Sequence, residues 1–270
     1  MDNINATDAD ARTPARAIAT TMLNKVPEVT LLFWVVKILS TTVGETAADF
    51  LADNLGLGLS NTSLIMAVLL AGALVLQFRT RRYVPWVYWL AVVLISVVGT
   101  LISDNLVDNL GVSLWTTTIV FAAGLAVTFA AWYRSERTLS IHTIFTRRRE
   151  TFYWLAILFT FALGTSAGDL LSERLGLGYL TAAIVFGAVI AAVTLAYYAG
   201  VNAVLTFWAA YVLTRPFGAS IGDLLTADTS EGGLGLGTNA VSGIFLLVIL
   251  AAVGWFTVQD RRQRALEVAA

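Results

Sequence analysis

Cysteine is absent from the chain, which excludes disulfide frameworks, thiolate metal centres and cysteine nucleophiles. Histidine is nearly absent: His142 stands alone in a polar stretch, so no His-based metal centre or His-dependent catalytic triad is available. Charge is the third shortage. Asp, Glu, Lys and Arg make up 13% of the 270 residues, about half the roughly 25% of an average soluble protein. A soluble domain of this length could not cover its surface with so few polar groups. The net charge of −1 offers nothing to nucleic acid. No GxxxxGK[ST] phosphate loop occurs, which argues against an ATP-driven pump within this chain. No nucleophile and base stand out as a pair, so no enzyme activity and no cofactor are expected.

What is abundant is apolar side chain, 57% of residues, with a mean hydropathy of +0.76. Stretches of about 20 apolar residues can cross roughly 30 Å of hydrocarbon as helices. Eight occur, near 29–51, 62–78, 84–106, 114–133, 151–172, 178–199, 201–225 and 238–258. The expected fold is all-α: a polytopic integral membrane protein with the lipid bilayer as its main partner. Residues 1–26 show no short apolar core before a small-residue cleavage site, so they read as a cytoplasmic tail rather than a secretory signal. Fourteen of the 17 basic residues fall in that tail, after the second and fourth stretches, and in the C-terminal segment 259–270. By the positive-inside rule both termini are expected in the cytoplasm of a bacterial cell, with the chain in its inner membrane.

Internal repetition settles the architecture. Trp34, Trp89, Trp154 and Trp208 each follow an aromatic residue, and each is followed ten residues later by a glycine: Gly44, Gly99, Gly164 and Gly218. Five residues beyond each glycine stands an aspartate: Asp49, Asp104, Asp169 and Asp223. A short turn follows (LGLG at 55–58, LGVS at 110–113, LGLG at 175–178 and at 234–237), and then a second apolar stretch. The chain thus reads as four parallel helical-hairpin repeats, eight transmembrane helices in all, at about 27–80, 81–134, 150–200 and 201–258. A charged segment, 135–149, separates the two halves. Repeats that each span twice run in one direction and are related by an axis along the membrane normal. A pseudo-twofold pair of halves or a pseudo-fourfold ring would satisfy the count.

On these residues the chain resembles a bacterial family of membrane-anchored proteins built from four tandem two-helix repeats, each with a characteristic Trp. The resemblance extends from about residue 27 to 258. That family is defined as a repeat of unknown function, so the resemblance implies an architecture and no activity.

A helix rises 1.5 Å per residue, which places each glycine about 15 Å and each aspartate about 22 Å from the level of its Trp. The four Trp are expected as an aromatic belt at the cytoplasmic interface, and the four glycines as close helix contacts. Ionisable groups inside the membrane are costly and point to function. Four aspartates in equivalent places suggest convergence on one axis, although helix capping or interhelical hydrogen bonds would also account for them. Asp53, Asp108 and Glu173 follow one turn later on the same face. Glu45 is the acid nearest the midplane, with Lys37 on the same stripe, and Arg215 lies before Pro216 in the seventh stretch. Glu45 is expected to pair with Arg215 or Lys37, either as a gate or as a static ion pair. Pro216 is expected to kink its helix.

The leading expectation is transport of a cation, divalent in the first instance, along a carboxylate path formed by Glu45, Asp49, Asp104, Asp169 and Asp223, with carboxylate protonation as coupling. Oxygen-only ligands suit Mg²⁺, Ca²⁺, Mn²⁺ or protons. Two alternatives stay open: a non-transporting membrane scaffold or regulatory protein, and a transporter of a small organic solute held by Lys37 or Arg215.

Overall fold

The computed structural model describes residues 24–269. Most of the expected N-terminal tail, including Arg12 and Arg16, lies outside the described residues. Eight long helices account for the described chain, and no strand occurs among these residues. They are α1 (Leu31–Asp49), α2 (Gly58–Arg79), α3 (Pro85–Asp104), α4 (Leu114–Glu136), α5 (Arg147–Asp169), α6 (Gly178–Tyr198), α7 (Ala203–Thr226) and α8 (Thr238–Ala269). Seven are long and apolar enough to cross a membrane. The eighth, α7, is made less apolar by Arg215 and Asp223, but it occupies the same place in its repeat as α1, α3 and α5. The protein is therefore an all-helical polytopic membrane protein.

The odd and even helices have different jobs. α1, α3, α5 and α7 form a closed inner ring, each touching the next, with α7 returning to α1. The even helices lie outside it, and most of their apolar side chains are exposed, as lipid-facing helices require. Each outer helix packs on the inner helix of the following repeat: α2 on α3, α4 on α5, α6 on α7, and α8 on α1. The two helices of one hairpin meet mainly at their turn. Four copies of this hand-over close into a pseudo-fourfold ring, rather than two separate halves.

The motif glycines make the inner ring tight. A Cβ on Gly44 would collide with Ser96, one on Gly99 with Phe161, one on Gly164 with Arg215, and one on Gly218 with Thr41. Each partner stands three residues before the glycine of the next repeat, so one contact is repeated four times around the ring. Small residues let helix backbones approach this closely where lipid supplies no hydrophobic drive for association.

The motif aromatics follow the same rule, and here the expectation is corrected. Phe33 packs on Trp89, Tyr88 on Trp154, Tyr153 on Trp208, and Phe207 on Trp34, with ring centroids 5.7, 5.6, 6.1 and 5.6 Å apart. Trp89, Trp154 and Trp208 are buried, and Trp34 is half-buried. They form no lipid-facing belt. They close the end of the ring that carries the arginine-rich loops. The physical reason is that the hand-over brings the Trp of each repeat against the aromatic that precedes the Trp of its neighbour, and such pairs are favourable beyond the area they bury.

Several boundaries also differ from expectation. In the first three repeats the inner helix continues past its aspartate as a π-helical turn, at Phe50–Asn54, Asn105–Asn109 and Leu170–Arg174. The fourth repeat has instead a short 3₁₀ turn at Thr229–Glu231. Helical structure covers most of the ends of the segment 135–149, leaving residues 137–146 between α4 and α5. The C-terminal segment 259–270 is not a free tail: α8 runs on to Ala269. Lys25, assigned to the N-terminal tail, is instead buried in an ion pair with Glu150 at 2.6 Å, and Gln77 donates to the same carboxylate at 3.1 Å. This cluster ties the chain entry to the start of α5. α7 runs unbroken through Pro216.

Candidate functional site

At the opposite end from the Trp ring, the inner helices enclose a cavity of about 500 Å³. Each contributes its motif aspartate: Asp49, Asp104, Asp169 and Asp223 all line it. The π-helical turns place Asp53, Asp108 and Glu173 on the same wall, joined by Glu231 from the fourth repeat. Glu45 lies deepest. Among the described residues no Lys or Arg lines the cavity. Asp228, in the same loop as Glu231, is not among the lining residues.

The four motif aspartates are half-buried, and among the described residues none of their carboxylates makes a hydrogen bond or an ion pair. No capping hydrogen bond comes from the side chains of Asp49, Asp104 or Asp169 at the helix ends where they stand. They face shared space rather than plugging separate helix termini. The acids are nevertheless spread around the wall. Among the described residues no three His, Asp or Glu side chains converge closely enough to hold a metal ion.

The floor of this chamber is built from the residues immediately after the motif glycines. Repeats one to three supply Glu45, Thr100 and Thr165 at this level, and repeat four supplies Ala219. Arg215, one turn before that alanine on α7, reaches to the same level. One of its terminal nitrogens donates to Glu45 at 2.6 Å, to Thr165 at 2.7 Å, and to the Thr100 hydroxyl. Thr100 in turn donates to Glu45 at 3.1 Å. Glu45 and Arg215, 6% and 0% exposed, thus form a buried bridge that joins all four repeats across the axis. Among the described residues the two other guanidinium nitrogens of Arg215, Nε and Nη1, have no hydrogen-bond partner.

Lys37 takes no part in this bridge. Of the two partners expected for Glu45, the ring chooses Arg215. Lys37 lies two turns below, fully buried, in a layer completed by Val92, Ile157 and Tyr211 at the equivalent positions. Below that layer, the Tyr88 and Tyr153 hydroxyls share a hydrogen bond of 2.6 Å, and the Trp ring completes the seal. The centre of the ring is therefore open at the chamber end and filled by successive side-chain layers towards the other.

The sequence pattern picks out Glu45, Arg215 and the aspartates as a set. It passes over Phe161, Tyr211 and Tyr179, which are apolar or aromatic residues in a helix full of them. The register held a signal for two of these: Tyr211 stands where repeat one has Lys37, and Phe161 where repeat four has Arg215.

A family model described as Repeat of Unknown Function (DUF347) matches the chain four times, at residues 32–83, 87–138, 152–200 and 206–262. No curated protein and no solved structure matches the chain.

Proposed function

The chain belongs to that four-repeat membrane family, whose description assigns no activity, and we propose from the site itself that it moves a cation through the centre of its ring. The observation that carries this reading is the chamber: one cavity, lined among the described residues by nine carboxylates from all four repeats and by no basic side chain. Low-dielectric walls lined with one sign of charge raise the local concentration of the opposite ion. The buried Glu45–Arg215 bridge is then the gate. A cation arriving at the floor competes with Arg215 for Glu45 and loosens the contact that joins the repeats.

The wide spacing of the acids bears on the cargo. A bare Mg²⁺ or Ca²⁺ needs six or more close oxygen ligands, whereas the chamber volume lies within the range of about 300–1,000 Å³ of small-molecule pockets. A hydrated divalent ion or an organic cation fits better than a dehydrated metal. The chain is read as lying in a bacterial inner membrane, with the arginine-rich loops and both termini in the cytoplasm and the chamber facing outward.

The test is flux into proteoliposomes for a panel of Mg²⁺, Ca²⁺, Mn²⁺, protons and alkylammonium ions. Asp49→Asn and Asp104→Asn remove charge from side chains that make no bonds, so the fold is expected to survive. Each should slow flux by about tenfold or more, the scale on which focused fields alter ion concentration. Unchanged flux in both would end the carboxylate-path reading. No flux of any panel member in the wild type would leave a membrane scaffold as the better account.

A further inference from the structure

Below the floor, the ring holds a second buried basic side chain with no carboxylate beside it. Lys37 is 0% exposed, and among the described residues its ammonium forms no ion pair. It is held instead by two aromatic faces, with Nζ 4.6 Å from the centroid of Phe161 and 4.4 Å from that of Tyr211. Among the described residues its one side-chain hydrogen bond runs to the carbonyl oxygen of Tyr211 at 3.4 Å. Two ring faces and a carbonyl oxygen make up a receptor for an ammonium group.

This receptor is not a by-product of the repeat. At the level of Lys37 the second and third repeats carry Val92 and Ile157, and only the fourth presents an aromatic, Tyr211. At the level of Phe161 the other repeats carry Thr41, Ser96 and Arg215. The cage thus exists at one point of the ring, where α1, α5 and α7 come together. Burying an ammonium without a carboxylate is costly, and filling the same space would need only an apolar side chain. It also lies on the axial path, one layer beneath the Glu45–Arg215 bridge.

We infer that the Phe161–Tyr211 cage is an inner cation subsite for a primary alkylammonium group, and that Lys37 occupies it as a tethered stand-in while the path is shut. The inference rests on the cation-path reading and deepens it, naming a second station and the class of cargo. Ring faces with a single oxygen suit an organic ammonium. They do not suit Mg²⁺ or Ca²⁺, which call for about six or more oxygens at roughly 2.0–2.6 Å. In the transport cycle a cargo ammonium displaces the Lys37 head group, and the head group returns once the cargo has left.

Lys37→Ala empties the cage, and n-propylammonium is the fragment removed. Addition of n-propylammonium to the purified variant should raise its unfolding temperature saturably, by about 2 °C or more beyond the shift in wild type. Wild type, whose own ammonium fills the cage, reports only binding in the outer chamber. Neither 1-propanol at the same concentration nor sodium chloride at the same ionic strength should reproduce the difference, and adding Phe161→Leu should abolish it. Equal rescue by propanol would show a merely packed space and overturn the inference, as would no rescue. Should Lys37→Ala aggregate on extraction, the same comparison is read as recovery of monodisperse protein. Recovery with the amine alone supports the subsite, and recovery in both or in neither overturns it. Failure of rescue with intact wild-type flux removes only the subsite. Rescue without alkylammonium flux in wild type removes the path and leaves a binding site.

Discussion

Glu45 and Arg215 are the most expensive pair of side chains in the ring to keep out of water, and each is tolerable only because of the other. Removing one partner of a buried pair leaves a bare charge and typically costs about 3–5 kcal/mol, whereas replacing both with apolar groups of similar size can be neutral. Glu45→Gln and Arg215→Met should therefore each lower the unfolding temperature strongly, while the double variant should recover much of the loss. Chemical and thermal unfolding in detergent would check this; additive losses would deny the pairing. At this scale the sequence was informative about cost and silent about partners. Glu45, Arg215 and Lys37 stand out from their apolar surroundings, so their importance was legible. That Arg215 rather than Lys37 would meet Glu45 depends on how α7 returns to α1, a contact 170 residues apart in the chain. The aromatic cage around Lys37 was hidden for the same reason, since its walls come from two other helices.

Among the elements, the inner helices owe their closeness to the motif glycines. Alanine at Gly99 would press on the Cβ of Phe161 at 2.6 Å and on the Ala162 backbone at 3.1 Å. Overpacking of this kind costs about 1–3 kcal/mol. Gly72, on the outer helix α2, has nothing within 4 Å of the same position, and alanine there should gain up to about 1 kcal/mol of helix propensity. Opposite shifts in unfolding temperature for Gly99→Ala and Gly72→Ala are the expected result. The spacing of the glycines was plain in the sequence, as was their role as contact points. What each contacts was not, because periodicity marks the face a helix offers and leaves open which neighbour receives it. The π-helical turns after Asp49, Asp104 and Asp169 were equally illegible: they widen the helix by one residue, and their own residues (FLADN, NLVDN and LLSER) include no proline or glycine.

For the molecule as a whole, the chain contains no native cysteine, so single cysteines report access directly. Asp108→Cys and Glu231→Cys, on the chamber wall, should react with a membrane-impermeant thiol reagent supplied from the side away from the arginine-rich loops. Val92→Cys, in the fully buried layer around Lys37, should not. Reaction of Val92→Cys from that side would mean the Glu45–Arg215 floor does not shut the path. Four aligned motifs foretold a rotational relation among the repeats, and the choice between two halves and one ring fell to the long-range packing of α8 and α7 on α1. That packing has an ancestral implication. Because every outer helix is seated on the next repeat, a chain of only two repeats would end with one helix unseated and one inner face uncovered. Two such chains could cure each other's defect by joining head to tail, so a symmetric homodimer of half-length chains is a workable forerunner of this protein.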